Sequence, residues 1–343
     1  MTAAPTPPWL PVHYRHWYAV AVAARIGRQP QPLTLLDRHL VIARDGAGGW
    51  LALEDRCPHR QVALSAGCVR AGALQCPYHG WRFDAGGRLC ALPGHDPDSP
   101  LPAVRVPAFA VREHDGLLWL RPGDAGEAEL PALARERDPR QRRFQWQAIW
   151  PGHVVDVMEN VLDALHTHYV HAGWLRRDAA RRPTEVDLQV GADQRVRVDY
   201  HGQQAQSGLV WRLFESSRSG ECAHLQLPAS TCLEYTYANG AAAWVSLHFS
   251  PVDARHTRVV ASFHVHRRWA PRWAVRALLW PLLAHVGRQD EAILAAQQAN
   301  MDRFPGHAPL RTHGDVLRPL LEDWWLHGRA PAPSRSRRLR LWL

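Results

Sequence analysis

The sequence predicts an α+β protein of two domains, an all-β unit followed by a unit that combines an antiparallel sheet with helices. Three observations carry that prediction. Short strand-like runs separated by Gly-rich turns fill residues 32–120, period-two alternation returns between 195 and 265, and one long apolar helical stretch, Trp273–Asn300, follows. At 343 residues the chain can bury two cores, and 46% hydrophobic with 21% charged residues is the composition of an ordinary folded protein.

The elements follow in order. The first eight residues, Met-Thr-Ala-Ala-Pro-Thr-Pro-Pro, lack a charged segment followed by an apolar run, so no signal peptide is evident. Strands are expected at Leu33–Ala43, Trp50–Glu54, Ala73–Gln75, Trp81–Phe83, Leu89–Ala91 and Leu117–Leu120, with turns at Gly46–Gly49 and Gly86–Gly87. The polar stretch Pro122–Gln141 reads as a linker. A helix is expected over Asp156–His168. Val196, Val198 and Tyr200 alternate with Arg195, Arg197 and Asp199, and Ala243, Val245, Leu247 and Phe249 alternate with Trp244, Ser246, His248 and Ser250. Val259, Ala261, Phe263 and Val265 form a third set, and the Trp273–Asn300 helix would pack on this sheet. The Pro-, Ser- and Arg-rich tail Ala330–Leu343 reads as loosely ordered, with Trp342 able to dock.

Bulk properties exclude several functions. The excess of Lys+Arg over Asp+Glu is 41 − 32 = +9, but it is diffuse arginine apart from runs at Arg135–Arg143 and Arg335–Arg340. Nucleic-acid binding calls for a basic stripe interleaved with aromatics, which is not found; a basic surface could instead steer an acidic electron donor. The apolar stretch Trp273–Val286 carries Arg276 and Pro281 and is about 14 residues long, short of the roughly 20 that a membrane span needs. Of six cysteines, Cys68, Cys90, Cys222 and Cys232 are scattered without a framework spacing and suit free thiols in a reducing compartment, so a cytoplasmic location is expected.

Two loops carry the first chemistry, Cys57-Pro58-His59-Arg60 and Cys76-Pro77-Tyr78-His79-Gly80-Trp81, expected at adjacent hairpin tips. Two Cys on one iron and two His on the other describe a [2Fe–2S] centre of raised potential, because neutral imidazoles replace anionic thiolates. A tetrahedral Cys2His2 zinc site is the alternative. Zinc sites of that composition more often pair Cys with Cys and His with His, whereas each loop here supplies one of each.

A second cluster lies in Glu159–His171. Met158, Val161, Leu162, Leu165 and Tyr169 form an apolar face, with Asp156, Glu159, Asn160, Asp163 and Thr167 opposite and His166 at the edge. Far along the chain, Asp290 shares a helical stripe with Val286, Ile293 and Leu294. A carboxylate on an inward stripe is costly unless paired with an arginine or bound to a cation; Glu291, displaced about 100°, is the weaker candidate. Two His and one carboxylate make a facial triad for non-haem Fe(II), with positions left for O2 and water. His168 is the rival ligand but points away from His166. His171, five residues past His166, requires the helix to break near Tyr169, which Ala172-Gly173 suits.

Taken together, Cys57-Pro-His59 through Cys76-Pro-Tyr-His79-Gly-Trp, Asn160-x-x-Asp163-x-x-His166-x4-His171 and Asp290 resemble the Rieske non-haem iron oxygenases, over Trp17 to about Gln298. The nearest flavour is that of the vanillate O-demethylase and aminopyrrolnitrin oxygenase relatives. The resemblance implies a Rieske [2Fe–2S] domain over residues 1–124 and a helix-grip catalytic domain over 125–343. It implies a cluster on Cys57, His59, Cys76 and His79, and a mononuclear Fe(II) on His166, His171 and Asp290. Electrons are expected from NAD(P)H through a separate reductase, sometimes with a ferredoxin. It also implies a homotrimer in which Asp163 bridges a cluster histidine, here His79, to the neighbour's His166, and Asn160 lies close to the iron. The expected activity is O2-dependent mono-oxygenation or demethylation of a small, largely apolar organic molecule. Desaturation or amine oxidation, or a Rieske electron carrier without oxygenase activity, are the alternatives.

Overall fold

The structure is a computed structural model of the chain that describes residues 9–123, 129–131, 141–202, 208–209, 217–266, 273, 275–306 and 309–343. The chain divides into two compact units. One comprises Tyr14–Leu130 with Ser250–Asp253; the other comprises Met1–His13, Pro131–Phe249 and Ala254–Leu343.

The first unit is built from β1 (Tyr18–Val22), β2 (Gln31–Leu35), β3 (Arg38–Arg44), β4 (Trp50–Glu54), β5 (Cys68–Arg70), β6 (Ala73–Gln75), β7 (Arg82–Phe83), β8 (Leu89–Ala91), β9 (Ala110–His114) and β10 (Leu117–Arg121). They form three small sheets, ordered β1-β10-β9, β2-β3-β4 and β5-β6-β7-β8. Leu53, Leu64, Leu74 and Phe83 are fully buried in one core, and Cys57 and Cys76 belong to the same cluster of buried side chains. The core therefore holds the two sulfurs from below.

The expected run Leu33–Ala43 is two strands. Leu36 and Asp37 both take the left-handed conformation, φ 52° and 61°, as the two central residues of a tight hairpin turn do. Leu36 is no ordinary turn residue, yet it is buried, and the Leu36 and Asp37 amides donate to the Pro251 and Val252 carbonyls at 2.8 and 3.0 Å. Those contacts offset the backbone strain.

The second unit adds β11 (Gln141–Pro151), β12 (Pro183–Val190), β13 (Val196–His201), β14 (Arg218–Gln226), β15 (Ser230–Tyr237), β16 (Ala242–Asp253), β17 (His256–His266) and β18 (Arg337–Trp342). They make an eight-stranded sheet ordered β11-β17-β16-β15-β14-β13-β12-β18, in which β12 to β16 form an antiparallel meander. Among the described residues three α-helices accompany it: α1 (Val154–Leu162), α2 (Trp280–Arg303, preceded by the π-helical turn Val275–Leu279) and α3 (Arg318–His327). Most of the proposed linker lies outside the described residues. Among the described residues, no helix is long and apolar enough to cross a membrane.

Three expectations need correction here. The tail is not loose: Arg337–Trp342 pairs antiparallel with β12 at the sheet edge. Leu339 and Leu341 alternate with arginines, Leu341 and Leu343 are buried, and Arg338 donates to Asp187 across the strands at 2.6 Å. Trp342, by contrast, stays exposed. The helix expected over Asp156–His168 stops at Leu162, because Asp163 turns extended at ψ 118°. The polar face of β16 is also buried, with Trp244, Ser246 and His248 all below a tenth exposed and His248 Nδ1 2.9 Å from Ser230 Oγ.

Candidate metal centres

In the first unit the two Cys-x-His loops have the same backbone closure. The Cys57 amide donates to the Val62 carbonyl and the Gln61 amide returns to the Cys57 carbonyl, both at 2.9 Å. The Cys76 amide donates to Trp81 at 2.8 Å, and the Gly80 amide returns to Cys76 at 3.2 Å. Each closure needs a left-handed residue four places after the cysteine, and these are Gln61 (φ 62°) and Gly80 (φ 72°). The loops follow β4 and β6 as the sequence suggests, and each presents its sulfur inward.

Cys57 and Cys76 are 1% and 2% exposed, whereas His79 is on the surface. The two imidazoles lie with ring centroids 4.5 Å apart, and Trp81 stacks on His59 at 4.8 Å and 5°. The donor set fits a metal cluster on two counts. Burial pushes the Cys57 thiol up; the His59 amide works against that rise and the adjacent Cys76 sulfur adds to it, so two neighbouring buried thiolates call for a cationic partner. His59 Nδ1 is buried with no hydrogen-bond partner among the described residues, as expected of an atom reserved for a metal.

In the second unit α1 begins on His153, whose Nδ1 accepts from the Val155 amide at 3.4 Å. Val154, Val155, Val157, Met158 and Leu162 bury its apolar face. Its polar face is neither solvated nor free. Asp156 accepts from Arg318 at 3.0 Å, Glu159 pairs with the same guanidinium, and Arg318 also donates to Glu322 at 2.8 Å. Arg318 lies on α3, more than 150 residues away, and no local pattern announces it.

Asp163 ends the helix and starts the next turn. Its carboxylate accepts from the amides of Leu165 (2.7 Å) and His166 (3.0 Å), capping the short 3-10 turn His166–His168. Asp163 therefore has partners within its own chain. The turn brings His166 Nε2 to 3.3 Å from His171 Nε2, and Asp290 Oδ1 lies 3.5 Å and 3.1 Å from those two nitrogens. Asp290 is 7% exposed on α2 beside buried Leu294; Ile293, expected on the same inward stripe, is 45% exposed. Glu291 faces solvent.

The tautomers suit metal binding. His166 Nδ1 donates to the Asp163 carbonyl at 2.5 Å and His171 Nδ1 donates to Gln289 Oε1 at 3.0 Å, so both Nε2 lone pairs face Asp290. Asn160 Nδ2 donates to Asp290 Oδ1 at 2.9 Å. Among the described residues no arginine takes the carboxylate; burial pushes Asp290 up, but His166 and His171 in their protonated form, donating from Nε2, outweigh it and hold the group down to about 2, and a metal ion would take the place of those Nε2 protons. Sequence reasoning missed Gln289, since a residue 100° around the helix from Asp290 gives no periodic signal. His168, the rival ligand, is buried elsewhere, and burial, with Arg176 second, pushes it down to about 4.

Beside the triad lies a cavity of about 220 Å³. Val245, Leu247, Ala261 and Phe263, from the apolar sets of β16 and β17, line it. Its charged corner is the ion pair of Arg176 with Glu221, at 3.1 and 3.2 Å.

Residues 16–110 match the Rieske [2Fe-2S] domain, and residues 150–318 match the vanillate O-demethylase oxygenase C-terminal domain. A 4beta-methylsterol monooxygenase of Methylococcus capsulatus is 29% identical, over 90% of this chain and 88% of its own length. The dicamba O-demethylase oxygenase component of Stenotrophomonas maltophilia is 34% identical over 48% of this chain and 50% of its own, and the matches with several other relatives span less than half of the relative. Among solved structures, NdmA of Pseudomonas putida CBB5 with caffeine superposes with a TM-score of 0.77 at 24% identity, covering 91% of this chain and 89% of that one. Dicamba monooxygenase with 3,6-dichlorosalicylic acid gives 0.78 at 21% identity, covering 90% and 95%. At those identities the structural likeness carries the fold alone. The two domain matches, in this order and over most of its length, carry the rest: the chain belongs to the Rieske non-haem iron oxygenases.

Proposed function

We propose that the chain is a terminal oxygenase component that mono-oxygenates or demethylates a small, largely apolar or aromatic organic molecule. Cys57, His59, Cys76 and His79 hold the [2Fe–2S] cluster, and His166, His171 and Asp290 hold the mononuclear iron. A ferrous ion on that triad supplies reductive activation of O2. Electrons come from NAD(P)H through a separate reductase, with or without a ferredoxin.

The observation that carries this reading is the apolar cavity reaching His166, His171 and Asp290. Its walls exclude water and orient substrate by shape, while the Arg176–Glu221 pair offers a polar handle at one corner. Asn160 orients Asp290 and Gln289 orients His171, so the three donors are set before metal arrives. The electron-carrier alternative leaves that convergence unused.

The reading includes a homotrimer in which one subunit's cluster serves its neighbour's iron, with Asp163 as the bridging carboxylate. The Asp163 side chain, 36% exposed despite its two amide contacts, supports that part. A cytoplasmic location suits six cysteines of which none is in a disulfide.

The test is iron and acid-labile sulfide per chain, with single-turnover chemistry on candidate aromatic ethers and N-methyl compounds. Three irons to two sulfides and O2 consumption coupled to product are expected. An Asp290→Ala variant that kept its third iron and its turnover would overturn the triad, and two irons with no product after Fe(II) loading would favour the carrier.

A further inference from the structure

A second group of metal-ligating side chains stands away from the triad, on strands β14 and β15. Cys222 and His224 are two residues apart on β14, and Glu234 on β15 is the direct cross-strand partner of Cys222. Alternation along a strand sends these three side chains to one face, while Glu221, Ala223, Leu233 and Tyr235 go to the other and line the cavity, which Cys222 also borders. Cys222 Sγ is 3.3 Å from His224 Nε2 and 3.7 Å from Glu234 Oε2, and His224 Nε2 is 3.4 Å from Glu234 Oε2.

Those separations suit one small cation. Bond lengths of about 2.3 Å to sulfur and about 2.0–2.1 Å to nitrogen and oxygen, at tetrahedral angles, put the donors about 3.3–3.6 Å apart. We propose that Cys222, His224 and Glu234 form a binding site for a thiophilic divalent cation, Zn2+ first among them, distinct from both iron centres.

Charge and access agree with the assignment. Thiolate and carboxylate together neutralise a dication, and the adjacent Arg197 is already held by Asp199 through bonds of 2.7–2.9 Å. Cys222 is 7% exposed, while the His224 and Glu234 side chains are 27% and 23% exposed, so a cation reaches the site from solvent and leaves a fourth position for water. Burial pushes the Cys222 thiol up to about 12, so metal uptake there displaces a proton to solvent. The cation would tie together two strands whose other faces supply Glu221, Ala223, Leu233 and Tyr235 to the cavity.

The test uses the full-length protein with both iron centres loaded. It is equilibrated with Zn2+ and freed of loosely held metal; zinc and iron per chain are then counted, and alkylation of Cys222 is followed by peptide mass mapping. One zinc per chain with iron unchanged is expected, falling at least tenfold in Cys222→Ser and in Glu234→Gln, and zinc should slow Cys222 alkylation at least tenfold. Equal zinc in wild type and Cys222→Ser, zinc gained only as iron is lost, or alkylation of Cys222 indifferent to zinc would each overturn the site. Should the serine variant fail to fold, the alkylation of wild-type protein decides alone.

Discussion

Asn160 donates from Nδ2 to Oδ1 of Asp290 at 2.9 Å, joining α1 to α2 at the carboxylate that also faces both triad histidines. A ligand held this way loses little freedom when it takes a metal. Asn160→Ala is expected to weaken retention of the mononuclear iron by about 10–100-fold while leaving the cluster spectrum intact. Dialysis against a graded chelator, with iron and sulfide counted, reads this. Unchanged retention would make the contact incidental.

Gln289 does the same for His171 from one residue away on α2. Gln289→Leu removes the acceptor at Nδ1 and lets the imidazole turn or change tautomer, with an expected loss of about 10–100-fold in iron affinity or turnover. Gln289→Glu keeps an acceptor there and should recover most of it. A leucine variant as active as the glutamate variant would contradict the role.

Asp163 combines a capping role with a candidate role in electron transfer, and two substitutions separate them. Asp163→Asn keeps an acceptor for the Leu165 and His166 amides, so stability should stay within about 0.5 kcal/mol. Asp163→Ala loses the cap and should cost about 0.5–2 kcal/mol. If the charge bridges subunits, stopped-flow oxidation of the reduced cluster slows in both variants. Slowing only in the alanine variant would reduce Asp163 to a cap.

Stability should fall with acid through His248. Burial, with His264 second, pushes this imidazole down to about 3, against about 6.5 when exposed. Below about pH 6.5 the unfolded chain binds a proton that the native protein refuses, so the contribution is complete above that pH and is lost progressively as pH falls toward 3. A slope of about 1.4 kcal/mol per pH unit between pH 6 and 4 is expected from this residue, and His248→Gln should reduce the slope by about that amount. Denaturant titrations at pH 7.5, 5.5 and 4.5 measure it; an unaltered slope would put the proton elsewhere.

Features encoded by near neighbours were readable from sequence. Cys57, His59, Cys76 and His79 sit in two short loops whose spacing names the chemistry, and the strands Trp50–Glu54, Ala73–Gln75 and Leu89–Ala91 fall where alternation and turns put them. Asp290 was found because a carboxylate on an inward stripe needs a reason. What stayed hidden depends on distant partners. The turn at Leu36-Asp37 relies on carbonyls more than 200 residues away, Asp156 and Glu159 on Arg318, and the Arg337–Trp342 strand on β12. Its arginines resemble a solvated tail until Asp187 and Glu185 lie opposite them. The local partners of Asp163 stayed hidden for the converse reason: they are amides two and three residues ahead, which a helical wheel omits.

The matching closures of the two cluster loops have a consequence for redox kinetics. Both cysteines are clamped by paired amide and carbonyl contacts, and their sulfurs sit in a close-packed core. Such a cage has little room to relax when the charge it encloses changes by one. A cluster bound there would change charge with little movement of the backbone around it, and most of the adjustment would fall to solvent around surface-facing His79.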